Sequence, residues 1–191
     1  MMVTRTPART RLLEAADRQL FTRGVQATPV DDLLREAETS AATLYAQFGS
    51  KDGLLAEALE GRLANWQAAW DAHIAEASDD TSRLLAIFDA LLAYRERGRP
   101  SARWCAFLAT ASEMSEPPKP VRSVLEADSA LLRKRLLHLS RPLAEERAAE
   151  LADAVELIYS GVLASLLRDD PVDPIAVGRR SAAVVAASYG S

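Results

Sequence analysis

Residues 28–55 read TPVDDLLREAETSAATLYAQFGSKDGLL, and the punctuation of this stretch decides the fold. Thr28 followed by Pro29 is a helix start: a hydroxyl that can cap, then a residue whose missing N–H costs nothing in a first turn. Asp31 and Asp32 fall where the helix dipole favours negative charge, and Val30, Leu33, Leu34 and Ala37 can share one buried face. A short helix is therefore predicted from Pro29 to Ala37, held by packing because it is too short to stand alone. Ser40 is the next cap, and Ala41 to Phe48 form a third helix of the chain with Leu44 and Phe48, four apart, on its core side. Gly49 ends that helix, Ser50 caps another, and Lys51 begins a long one. Two short helices in this order, split by a tight polar break, predict a helix-turn-helix.

No charged residue occurs between Thr39 and Ser50, an unusual gap in a chain that is 26% charged. A helix entering the major groove reads bases with Thr hydroxyls and methyls, Ala against thymine methyls, and Gln bidentate to adenine. Small side chains at Ala41 and Ala42 would let the helix approach the bases closely. The plainer alternative is a small uncharged helix packed inside an all-helical domain.

Outward from this stretch, Leu12, Leu13, Ala16, Leu20 and Phe21 recur at helical spacing, predicting a first helix from Pro7 to Arg23 that Thr6 caps and Gly24 stops. Arg5, Arg9, Arg11, Arg18 and Arg23 stand there against Glu14 and Asp17, so this end is locally basic although the formal net charge is −4. Exposed arginines of that kind can meet phosphates, which gives affinity and register without reading sequence. The overall charge argues against nucleic acid wrapping the whole protein.

The chain has 191 residues, 49% of them hydrophobic, which is enough for a full core in one helical domain or in a small module fused to a larger one. Leu and Ala dominate and β-branched residues are few, which favours helix over strand. One cysteine, Cys105, allows no intrachain disulfide or cysteine-based zinc site and fits a reducing compartment. No apolar run approaches the ~18 residues of a membrane span, so the protein is expected in the cytoplasm.

The helix from Lys51 keeps spacings of three and four through Leu54, Leu59, Leu63, Trp66, Trp70 and Ile74, with both tryptophans read as packing residues. Further helices are predicted around Leu84–Tyr94, after Ser101 as cap, over Val121–Leu139, over Leu143–Leu167 and over Ile175–Ala187, nine in all. The last two are apolar around too much of their circumference for single-sided surface helices, and a second copy of the chain is the economical partner.

The series TLYAQFGSKDGL from Thr43 to Leu54, with Ala15, Phe21, Gly24, Thr28 and Ser40 before it, resembles the DNA-binding domain of tetracycline-repressor-like (TetR/AcrR) transcriptional regulators. The length and the helix count agree with that resemblance. It implies an all-α, nine-helix regulator: a helix-turn-helix head over residues 1–55, and a helical ligand-binding and dimerisation domain over 56–191. It also implies a homodimer whose recognition helices meet successive major grooves of a palindromic, double-stranded operator. By similarity, Ala41, Ala42 and Thr43 lie against bases, and Thr28, Tyr45, Gln47 and Lys51 contact phosphates. Glu38 stands where the family usually has a glycine, Thr39 where an apolar residue is usual, Gln47 in place of a common histidine, and Trp104 before Cys105 in place of a glycine-like residue.

In such regulators the C-terminal domain holds a small-molecule effector. Bulky helical neighbours supply the candidate pocket: Phe88, Leu92, Trp104, Phe107, Leu108, Tyr159 and Leu163, each more readily read as plain core. The dimer interface is expected from Leu151, Val155, Ile158, Val162, Leu166, Ile175, Ala182 and Val185. The function implied is a repressor released by an apolar or aromatic effector, and the rival is a helical dimeric ligand- or protein-binding module that has lost specific DNA affinity. An enzyme is not expected: His73 and His138 are isolated, no glycine-rich phosphate loop occurs, and Cys105 reads as an inert core thiol. No cofactor or metal is implied.

Overall fold

The structure, a computed structural model, describes residues 6–97, 105–168 and 173–189. Among these residues the chain forms nine α-helices and no strand. They are α1 (Ala8–Arg23), α2 (Val30–Glu36), α3 (Ala41–Phe48), α4 (Lys51–Glu76), α5 (Asp80–Arg97), α6 (Ala106–Glu113), α7 (Lys119–Ala144), α8 (Ala148–Ser165) and α9 (Pro174–Ala187), with one 3₁₀ turn (Glu145–Arg147) between α7 and α8. The chain divides into two compact units, residues 1–63 with 101–126, and residues 64–100 with 127–191. The grouping is not linear: α6 and the start of α7 pack with the head, although they lie beyond position 55.

The first unit closes around Leu12, Leu20, Leu33, Leu44, Leu54, Leu55 and Leu59, every one of them inaccessible or nearly so, with Phe21, Phe48, Phe107 and Val121 joining them. Burying each such side chain is worth roughly 1.5–3 kcal/mol, which is what holds helices as short as α2 and α3. Gly53 is where α4 passes α3: a Cβ there would lie 2.0 Å from the Phe48 carbonyl oxygen, so only glycine admits this approach.

In the second unit α9 packs on α5 and α8. A Cβ at Gly178 would come within 2.2 Å of the Val162 side chain and 3.2 Å of the Phe88 ring, so this glycine sets how closely α9 seats. Trp66 and Trp70 of α4 join Tyr94 of α5, Tyr159 of α8 and Phe88 in one aromatic cluster, with ring centroids 5.8–6.2 Å apart.

Several helix starts differ from expectation. Pro7 and Pro29 occupy the capping positions with extended backbone, so neither is the first helical residue, and neither Thr6 nor Thr28 caps. Ser40, Ser50 and Asp173 do cap, accepting from the N–H groups of Thr43, Gly53 and Ile175 at 3.2, 3.0 and 3.0 Å. α7 runs on through Pro142 to Ala144, where the loss of one N–H near a helix end is cheap, and the chain turns at Glu145 with φ of 44°. The expected cap Ser101 lies outside the described residues, and Cys105 precedes α6 half-buried instead of lying within an apolar helix.

Candidate nucleic-acid interface

The tight turn between α2 and α3 is a Schellman motif. Thr39 N–H donates to the Leu34 carbonyl at 3.1 Å and Glu38 N–H to the Arg35 carbonyl at 3.3 Å, which satisfies two carbonyls that the helix end leaves open. Glu38 occupies the position that needs a left-handed backbone, φ 46°, and bears the steric cost of its Cβ there. Arg11 of α1 offsets that cost: its Nε donates to the Ala37 carbonyl at 2.7 Å, its Nη2 to the Glu38 carbonyl at 3.1 Å, and its Nη1 to the Thr6 carbonyl.

From this turn α3 leaves with Leu44 and Phe48 buried and with Ala41, Ala42, Tyr45, Ala46 and Gln47 exposed. Tyr45 is 53% exposed, a large ring left in solvent on an otherwise small-residue face. Thr43 is half-buried and its hydroxyl shares a 3.0 Å hydrogen bond with Ser40 Oγ, so the cap also orients the one hydroxyl expected against bases. Ala46, one turn from Ala42 on the same face, belongs to this surface but is absent from the expected set; the i, i+4 spacing carried the signal.

One expected phosphate contact needs revision, and a second is partly engaged within the head. Thr28 is 0% exposed and donates its hydroxyl to the Gly24 carbonyl at 2.7 Å, so it builds the α1–α2 loop and presents nothing to a phosphate. Lys51, at the start of α4, is half-buried and donates Nζ to the Val25 carbonyl at 2.6 Å. Burial holds its ammonium below the usual lysine range, while Asp52 and Glu113 push the other way. Tyr45 and Gln47, the other two residues of that set, are exposed to solvent.

The basic face of α1 is also largely engaged. Arg9 pairs with Glu57 and lies over the Phe48 ring, Arg18 pairs with Glu36, and Arg23 with Asp32 at 2.8 Å. Arg23 and Arg35 together hold the Asp32 carboxyl below the usual carboxylate range. Such exposed pairs are weak, on the order of 0–1 kcal/mol, so phosphates can compete for these guanidinium groups.

The expected effector residues are divided between the two units. Phe88, Tyr159 and Leu163 are buried in the second unit, where Leu92 is exposed, whereas Phe107 and Leu108 belong to the first unit and Trp104 lies outside the described residues. A recess of about 260 Å³ in the second unit is lined by Asp80, Arg83, His138, Leu139, Arg141 and Pro142, none of them in that set.

The expected interface set is corrected in the same way. Leu151, Val155, Val162, Ile175 and Ala182 are consumed by packing within the subunit and have no surface left for a partner, while Ile158, Leu166 and Val185 are half-buried. The apolar residues that α8 and α9 leave outside are Leu157 and Val184, 74% and 73% exposed, with Val177 beside them; Gly161 and Ala164 lie on the same outer side of α8 as Leu157.

Among the described residues no helix is long and apolar enough to cross a membrane, and no group of three or more His, Cys, Asp and Glu is placed to hold a metal ion. A sequence-family model described as "Bacterial regulatory proteins, tetR family" matches residues 12–58, which run from α1 into α4. A search of curated proteins returns no match. Among solved structures, a TetR-family transcriptional regulator from Streptomyces coelicolor is similar at a TM-score of 0.87 and 22% identity, with 96% of each chain covered. The regulatory protein TetR from Rhodobacter sphaeroides gives 0.78 and 19%, over 93% of this chain and 98% of that one. Reduced NemR from E. coli gives 0.77 and 17%, over 94% and 97%. Residues 12–58 thus match the tetR family of bacterial regulatory proteins, on a chain whose fold is similar to that of a TetR-family regulator along nearly its whole length.

Proposed function

We propose that the protein is a ligand-responsive transcriptional regulator, a homodimeric repressor that a small apolar or aromatic effector releases from a palindromic operator. The observation that carries this reading is the exposed, uncharged face of α3, capped at Ser40 and fixed by the Arg11 clamp on its turn. A surface helix with no charge has little reason to face water, and good reason to face base edges. Ala41, Ala42 and Ala46 permit close approach, Thr43 and Gln47 supply polar readout, and Tyr45 and Lys51 flank the phosphates. Two-fold pairing through Leu157, Gly161, Ala164, Val177 and Val184 would present this face twice, as a palindrome requires.

A second reading is a helical dimer that binds ligands or proteins with little specific DNA affinity. It is favoured by the head arginines already paired to Glu57, Glu36 and Asp32, and by the exposed carboxylate of Glu38 beside the recognition helix. Fluorescence anisotropy on the DNA adjoining the coding gene, titrated across salt concentrations, separates them. The regulator binds one segment specifically with affinity that falls steeply with salt; the module binds all segments equally weakly.

A further inference from the structure

In the second unit Trp66 stacks on Tyr159, meets Tyr94 edge-on and lies tilted against Trp70, and Trp66 and Tyr94 remain partly exposed. The protein already seats one cation on this cluster: the Arg135 guanidinium of α7 lies 4.7 Å from the Trp70 ring centroid, its charge met by Asp71 at 2.8 Å. Asp128 is seven residues before Arg135, so it shares that face of α7 two turns away. It has no hydrogen-bond or ion-pair partner among the described residues, and burial alone pushes its carboxyl up to about 6.

The α7–α8 hairpin locates this carboxylate. Arg133 of α7 reaches Asp153 at 2.9 Å and Glu156 at 3.9 Å on α8, which fixes the antiparallel register. Moving five residues back along α7, about 7.5 Å, and the same distance forward along α8 sets Asp128 level with Tyr159, on which Trp66 stacks. One turn away on α8, Glu156 Oε2 is buried without a hydrogen bond. A half-buried carboxylate with no partner among the described residues, level with an aromatic wall, is costly to keep and has the chemistry to hold a desolvated cation.

We propose that the second unit binds a monocationic small molecule with an aromatic or bulky apolar body, its charge against Asp128 and its body on the rings of Trp66, Tyr94 and Tyr159. This rests on the reading of that unit as effector-binding and adds the charge of the effector.

The test is calorimetric titration of the full chain with tetraphenylphosphonium, with triphenylphosphine oxide as neutral and tetraphenylborate as anionic counterparts. The cation is expected to bind, with Asp128→Asn weakening it by about tenfold or more, leaving the neutral compound within about twofold, and Asp128→Glu restoring most of the loss. Trp66→Leu should weaken the cation and the neutral compound together. Cation affinity unchanged by Asp128→Asn, no cation binding, or borate binding as tightly as phosphonium would overturn the proposal. DNA is read separately. A cation that binds through Asp128 yet leaves DNA affinity unchanged keeps the site and removes its effector role, while specific DNA binding by a protein that ignores the cation does the reverse.

Discussion

Arg11 Nε donates to the Ala37 carbonyl across 26 residues, at 2.7 Å, and so ties the first helix to the turn that aims the recognition helix. The same guanidinium reaches the carbonyl of Glu38, whose backbone is left-handed. The clamp stabilises a turn that glycine would make without strain.

Glu38→Gly should therefore raise stability by about 1 kcal/mol, a melting-temperature gain on the order of 2–4 °C for a chain of this size. Arg11→Ala should lower it by a similar amount, and in a Glu38→Gly background the loss should be smaller. Thermal denaturation of the four proteins checks this; equal loss in both backgrounds would show that Arg11 does not act on the strained turn.

Lys51→Ala should weaken DNA binding on every sequence about equally and reduce the slope of log affinity against log salt by about 1. Thr43→Ala should change which sequences are preferred. Competition between a selected site and scrambled DNA separates the roles, and uniform loss for both variants would count against them.

Leu157→Glu places a charge on the outer face of α8, where the leucine is 74% exposed in the single chain. Folding should be untouched and self-association lost, read as a halving of mass in sedimentation equilibrium. A variant that stays dimeric would move the interface elsewhere.

Asp128 sets a pH dependence whose sign follows from its raised carboxyl pKa, about 6 in the fold against the usual 3.8. The folded state holds the proton more tightly than the unfolded chain, so this group's contribution is fully present below about 3.8, declines as pH rises to about 6, and stays low above. Asp128→Asn should remove that decline and gain on the order of 1–2 kcal/mol at pH 7, after allowance for partial exposure. Urea denaturation at pH 4 and pH 7 measures it; a variant no more stable than wild type at pH 7 would show the carboxylate to be compensated.

What could be read from residues alone was local. Ser40, Gly49 and Ser50 announce α3 and the start of α4 because caps and stops act within one turn, and Leu44 and Phe48 reveal the buried side through their spacing of four. The Arg11 clamp was hidden because its partners are backbone carbonyls on another helix, which leave no mark in side-chain identity. Thr28 looked like a cap or a phosphate contact, since nothing local reveals that its hydroxyl turns back to Gly24. In α8 and α9 apolar residues surround the helix, so periodicity could not tell Leu151 and Val155, inside the subunit, from Leu157, outside it. The packing of α6 with the head is a long-range fact of the same kind.

The face of α3 carries the central claim, and selection of bound DNA from a random pool tests it most directly. The expected result is one enriched sequence with two-fold symmetry, its half-sites about one or more helical turns apart, bound by a dimer and lost with an Ala42→Glu change that leaves the melting temperature unmoved. A pool that shows no enrichment at physiological salt, from protein that is folded and dimeric, would contradict it.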